Sequence, residues 1–234
     1  MAWFGKSGAD GAAVDLLARR DERKILVAAI ARRMRLEQPL GLPALSPRVA
    51  AALMATPREL FTPADQAPYA YHDHVLPLAA GQTLSQPSLV ALMTELLAIQ
   101  PGDRVLEIGV GSGYQTALLA RLGATVFGLE VIADLARAAE RRLAALGIRN
   151  VTVRVGDGHA GWPDAAPFDA ILAACAAPAV PPALVDQLRP GGRLLLPVGP
   201  ADGAQQLCLV EKGRDGQVRE RPLLAVAFVP MVRR

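Results

Sequence analysis

Aromatic side chains are scarce in this chain: two Trp, three Tyr and five Phe, 4% of 234 residues. A protein that stacks bases on an aromatic platform needs more than that. A formal net charge of +3 is too small over this length for nucleic acid to be the main partner. Cysteine is rarer still. Cys175 and Cys208 are the two, both in apolar runs, and no disulfide framework or thiolate metal site can be built from them. Histidine occurs three times, at 72, 74 and 159; His72 and His74 could share one face of a strand, but without further ligands they are a weak metal signal. Lysine supplies only three of the 25 cations, a bias that accompanies abundant alanine and points to no function. No apolar run approaches the ~18 residues of a membrane span, and the first fifteen residues lack the continuous apolar stretch of a signal peptide. The expectation is a soluble, cytoplasmic monomer with neither membrane nor nucleic acid as partner.

What is present is core-forming material. Hydrophobic residues make up 52% and charged residues 20%, which excludes global disorder, and the length fits one domain with an appendage. Residues 1–13 are small and Gly-rich and read as a mobile lead-in. Residues 14–34 contain no Gly or Pro, and Arg23, Val27, Ile30 and Met34 fall on one helical stripe. Residues 1–35 carry eight cations and four anions, and the helix reads as a solvated surface element. Ser46 before Pro47 starts a short helix to about Ala55. Prolines then make residues 56–80 irregular, and so long a loop in a compact chain is usually functional. A polar segment, Gly81 to Pro87, precedes a helical pattern over 88–99. Residues 14–100 thus form an N-terminal covering segment, and 101–234 an α/β core.

From Pro101 the period alternates. Strands are expected at 104–108, 125–130, 151–155, 168–174 and 192–198, with helices at 113–122, 133–146 and 181–188. Strands separated by helices imply βαβ units and a mainly parallel sheet. Residues 205–211 and 219–229 leave no room for a helix between them, so an antiparallel hairpin turned near Asp215-Gly216 closes the sheet.

The strongest local motif is Glu107-Ile108-Gly109-Val110-Gly111-Ser112-Gly113 after the first core strand. Its glycines allow a tight strand-to-helix turn and close backbone approach to a ligand. Tyr114 and Thr116 stand where the dinucleotide pattern needs a third glycine, and no Gly-Lys-Ser/Thr follows, so a ligand without pyrophosphate is favoured. Glu130 closes the second strand, 21 residues after Gly109, where a carboxylate accepts ribose hydroxyls. Asp157, beside Gly158, follows the third strand, placed to accept from an adenine amino group. Open α/β sheets bind ligands at these carboxyl ends. Together they indicate a nucleoside-bearing cofactor, and S-adenosylmethionine fits.

Over residues 45–231 the chain resembles the protein-L-isoaspartate O-methyltransferases. The resemblance rests on Pro57-Arg58-Glu59-Leu60-Phe61, Ala70-Tyr71-His72-Asp73, Gly81-Gln82-Thr83-Leu84-Ser85-Gln86-Pro87, the glycine motif, Gly156-Asp157-Gly158, Pro190-Gly191-Gly192 and Phe228-Val229-Pro230. It implies a Rossmann-like methyltransferase with a mainly parallel seven-stranded sheet, an antiparallel C-terminal hairpin and N-terminal helices. It further implies methylation of L-isoaspartyl carboxylates in damaged proteins and peptides, with S-adenosylhomocysteine as product; a dedicated peptide substrate and a non-catalytic nucleoside-binding module are the alternatives. Carried over residue by residue, the resemblance makes Ser85 catalytic. Thr83, Leu84, Ser85, Gln86, Glu107, Gly109, Gly111, Gly113, Glu130, Val131, Asp157 and Gly158 would hold the cofactor, and Asp73, Thr83, Ser85 and Val229 the substrate. From the residues alone, Ser85 or Ser88 reads equally well as a helix N-cap. The departures are Ala174-Cys175, where the family has Thr or Gly then Ala, and His72 and His74, where it has Glu and Arg or Asn.

Overall fold

The computed structural model describes residues 17–233, so the lead-in 1–13 lies outside the described residues. Helix α1, Arg20–Glu37, buries Arg23, Leu26, Val27, Ile30 and Met34. The expected stripe is therefore there, but the helix is not merely a solvated surface element, because that stripe joins the main core. Helix α2, Pro47–Ala55, starts as the sequence predicts: the Ser46 side chain accepts from the Val49 N–H at 3.2 Å. Two short strands, β1 (Leu76–Pro77) and β2 (Thr83–Leu84), then pair antiparallel. This ribbon was not expected; its strands are too short to carry a period. His72 and His74 lie in bends, their ring centroids 5.6 Å apart, and not on a strand.

Helix α3 (Pro87–Leu97) leads into the alternating core. Its elements in chain order are β3 (Arg104–Ile108), α4 (Tyr114–Arg121), β4 (Thr125–Glu130), α5 (Ala133–Ala145), β5 (Val151–Val155), β6 (Phe168–Ala173), α6 (Pro182–Asp186), β7 (Leu188–Val198), β8 (Gln205–Lys212) and β9 (Val218–Val226). The seven-stranded sheet has the order β5-β4-β3-β6-β7-β8-β9. Its first five strands are parallel; β8 pairs antiparallel with β7, and β9 antiparallel with β8. The β8–β9 turn falls at Gly213–Gln217, where the Gly213 N–H donates to the Gln217 carbonyl at 2.7 Å. Edge strand β9 sets Pro222 opposite Cys208, where the register shifts.

Alternating side chains send β3 into two apolar layers. Val105 packs with α1 to α4 in one cluster, and Leu106 with Phe168, Ile171 and Leu184 in the other. Both layers are sealed by aliphatic side chains, which contribute roughly 25 cal/mol per Å² of apolar surface removed from water. The strand ends that carry polar residues thus all emerge on one rim of a rigid sheet.

Candidate active site

The carboxyl ends of β3, β4, β5 and β6 open into one cleft, with the β1–β2 ribbon on one side and the segment Phe228–Val232 on another. The turn after β3 is shaped by glycine. Gly113, at φ +87°, immediately precedes α4, and a Cβ there would sit 3.3 Å from Ala139 of α5. It is a helix-packing glycine, not a cleft residue. Gly158 admits no side chain, because a Cβ would meet Ile108 Cγ2 at 2.3 Å.

Two carboxylates stand side by side in this cleft in contrasting states. Glu130 at the end of β4 is satisfied: its Oε2 accepts from the Gly111 N–H at 2.8 Å and its Oε1 from the Ile132 N–H at 3.0 Å. It therefore ties the glycine turn to the neighbouring strand. Glu107, one residue before the end of β3, is 0% exposed, and neither carboxylate oxygen has a hydrogen-bond partner among the described residues. Burial pushes its carboxyl up to about 8; the neighbouring Thr116 hydroxyl opposes the shift and the Glu130 charge adds to it. Cys175, also lining the cleft, has its thiol pushed up to about 12 by burial and by Glu130.

The ribbon presents Thr83, Leu84 and Ser85 to the cleft. The Ser85 carbonyl accepts from Arg58 Nη2 at 3.0 Å. Ser85 is not a helix cap. The residue preceding α3 is Gln86, whose side chain makes no cap bond, and the Ser88 N–H is taken by Asp73 Oδ1 at 2.8 Å. The third wall is stitched in place: the Ala176 N–H donates to the Val229 carbonyl at 2.8 Å, and Met231 N–H to the Ala176 carbonyl at 2.7 Å. Gln205, 2% exposed, clamps Phe228 through its N–H at 2.7 Å and its carbonyl at 3.0 Å.

Ten of the fourteen residues expected at the site line this cleft: Thr83, Leu84, Ser85, Glu107, Gly109, Gly111, Glu130, Val131, Gly158 and Val229. Gln86, Gly113, Asp157 and Asp73 do not. The Asp157 carboxylate turns to His159, accepting its N–H at 2.8 Å with the ring Nδ1 2.9 Å away. Against the cost of burial, those bonds hold its carboxyl below the ordinary value. Ala174 and Cys175, singled out as departures, do line the cleft, whereas His72 and His74 do not. Sequence reasoning missed Ser112, Gln115 and Met231 as lining residues; Met231 is brought in by a backbone course that no local pattern announces.

A doubly wound sheet with a glycine turn, acidic strand ends and a cleft at their carboxyl side defines the Rossmann-like methyltransferase class. The chain spans 88% of itself and 96% of a protein-L-isoaspartate O-methyltransferase 2 from Polaromonas sp. strain JS666, with 51% identity over 205 residues. A protein-L-isoaspartate O-methyltransferase from Methylorubrum populi is 56% identical over 176 residues, 75% of this chain and 82% of that one. Among solved structures, a protein-L-isoaspartate O-methyltransferase superposes with TM-score 0.78 at 30% identity, covering 89% of this chain and 65% of that one. The Plasmodium falciparum structure described as a putative protein-L-isoaspartate O-methyltransferase, in complex with S-adenosyl-L-homocysteine, shares the fold, with TM-score 0.76 at 24% identity over 91% of this chain and 99% of that one. The model of the protein-L-isoaspartate(D-aspartate) O-methyltransferase family matches residues 40–234, and the chain belongs to that family.

Proposed function

We propose that this cleft binds S-adenosylmethionine through Glu107 and Glu130 and that Ser85 positions the carboxylate of an L-isoaspartyl residue for methylation. The carrying observation is that one cleft joins two buried carboxylates at adjacent strand ends to the Thr83–Ser85 ribbon. The residues suit the cofactor. Glu107 is a buried acid with no hydrogen-bond partner among the described residues, and its ionised form is costly unless a cation or donor meets it; the cofactor carries an ammonium, a sulfonium and ribose hydroxyls. Each Glu130 oxygen, already bonded to one N–H, retains a lone pair for a hydroxyl donor.

When bound, S-adenosylmethionine supplies a methyl group activated on sulfur. The chain's own contribution is positional. A substrate carboxylate, with an ordinary pKa near 4, is already ionised at pH 7 and needs no general base. The cleft matches that requirement: among the described residues no His, Lys or Arg lines it, and the Cys175 thiol stays protonated. Ser85 and Thr83 hold the carboxylate, Val229 and its neighbours exclude water, and orientation supplies the rate. The following backbone nitrogen then attacks the ester carbonyl and expels methanol, closing a succinimide whose hydrolysis returns part of the damage to normal aspartate. Repair, and not modification of a dedicated peptide, is the reading that the relatives' names support. Buried, free Cys175 and Cys208 are compatible with a cytoplasmic location.

Radiolabelled methyl transfer to one peptide synthesised with Asp and again with isoAsp tests the function. Label is expected on the isoAsp form alone; equal labelling of both would remove the repair reading.

A further inference from the structure

Arg58 is the largest fully buried side chain among the described residues, 0% exposed, and the methylation chemistry makes no obvious use of it. Its Nε and Nη1 have no hydrogen-bond partner among the described residues. Its guanidinium lies over the ring of Tyr114, 5.0 Å from the centroid, and that ring is held edge-on by Phe61 at 5.5 Å. The adjacent carboxylate, Glu59, is engaged elsewhere, with the Tyr71 hydroxyl and with Arg23 at 3.6 Å. A buried cation without a hydrogen-bonded carboxylate is an expensive way to stabilise a fold, since apolar side chains of similar volume usually do as well or better. What this cation does reach is the backbone of the ribbon: Nη2 donates to the Ser85 carbonyl at 3.0 Å.

We infer that Arg58 is a positioning residue for methyl transfer: it fixes the backbone of the Thr83–Ser85 ribbon from behind, so that the Ser85 hydroxyl faces the cleft. The inference rests on the reading of Ser85 given above. Tyr114, whose ring carries the guanidinium, begins α4 directly after the glycine turn. The ribbon is thereby registered against the cofactor-binding turn through one side chain. The packed aromatic pair prevents Arg58 from moving away. Burial lowers the guanidinium only to about 10, so the charge persists at neutral pH.

The test is a double-mutant cycle on the full chain, with kcat, KM for an isoaspartyl peptide and S-adenosylhomocysteine affinity measured for Arg58→Lys, Ser85→Ala and both together. Lys retains the charge but loses the planar fork that spans ring and carbonyl. Arg58→Lys is expected to lower kcat by ~10-fold or more, with S-adenosylhomocysteine affinity within ~2-fold of the parent. In the Ser85→Ala background it should add little, because it acts through Ser85. Should the Lys variant fail to fold, Arg58→Met, which leaves no unpaired charge in the core, is expected to show the same pattern. An unchanged kcat, a cofactor affinity that falls in step with kcat, or effects that multiply independently would each overturn the assignment. A Ser85→Ala variant with parental kcat would sink the Ser85 reading itself, and that arm is read without Arg58.

Discussion

Two glutamates at neighbouring strand ends behave differently because one has backbone partners and the other has none. For Glu107 the consequence is a pH dependence with a definite sign. Its carboxyl titrates near 8 in the folded chain against an ordinary 4.5. Between those values the unfolded chain has lost a proton that the folded chain keeps, so the ligand-free protein loses stability as pH rises from about 4.5 to 8. Glu107→Gln should remove that decline. Its melting temperature is expected to exceed the parent's at pH 8, by ~2–4 °C or more, with the gap closing toward pH 5; parallel curves in calorimetry would contradict this. Glu130→Ala should weaken S-adenosylhomocysteine binding by ~1–3 kcal/mol. It removes a charged acceptor and unties the Gly111 and Ile132 N–H groups, and an unchanged titration isotherm would refute it. Ser85→Ala should lower kcat and kcat/KM together while leaving the melting temperature near the parent's. A lower melting point with parental turnover would point to Thr83 and Gln82 for the carboxylate contact instead.

The N-terminus of α3 exchanges two expected roles. Ser85, which from the residues alone reads equally well as its cap, faces the cleft; Asp73, carried over as a substrate contact, takes the Ser88 N–H from fifteen residues away. Asp73→Ala should therefore cost ~1 kcal/mol of stability, the usual worth of a lost cap, measured by urea denaturation; unaltered stability would return Asp73 to the substrate rim. The strands β3, β4 and β5 were fully legible. Their predicted bounds coincide with the observed ones, because β3 and β4 are apolar-rich stretches between glycine and polar turns and the edge strand β5 alternates apolar and polar residues. The β1–β2 ribbon was not legible, since two residues per strand show no alternation; its turn carries Ala80 at φ +57° beside Gly81 at φ +69°, and a lone glycine does not announce a hairpin. Arg58 was invisible for a different reason. Nothing local distinguishes a buried arginine from an exposed one, and its partner lies 27 residues away.

At the scale of the molecule, the basic helix α1 is fastened by its own cation. Arg23 is 3% exposed, donates to the Tyr71 hydroxyl at 3.0 Å and to the Met54 carbonyl at 2.9 Å, and pairs with Glu59. Arg23→Ala would strand Glu59 in the interior and should cost ~3–5 kcal/mol. A loss below ~1 kcal/mol in chemical denaturation would mean that water reaches Glu59. The net positive charge of this segment suggests a solvated face; the stripe of Leu26, Val27, Ile30 and Met34 around Arg23 decides otherwise. The sheet's margins bear on how such an enzyme meets its substrates. A client that arrives partly unfolded brings backbone ready to add as an extra strand to any open edge. β9 exposes Arg219, Glu220 and Arg221 and interrupts its ladder with Pro222, which has no N–H to offer. At the opposite margin, Arg154 of β5 is exposed and leans over Trp162, 5.4 Å from its ring centroid. A repair enzyme guarded in this way can visit aggregation-prone clients repeatedly without becoming a seed for them.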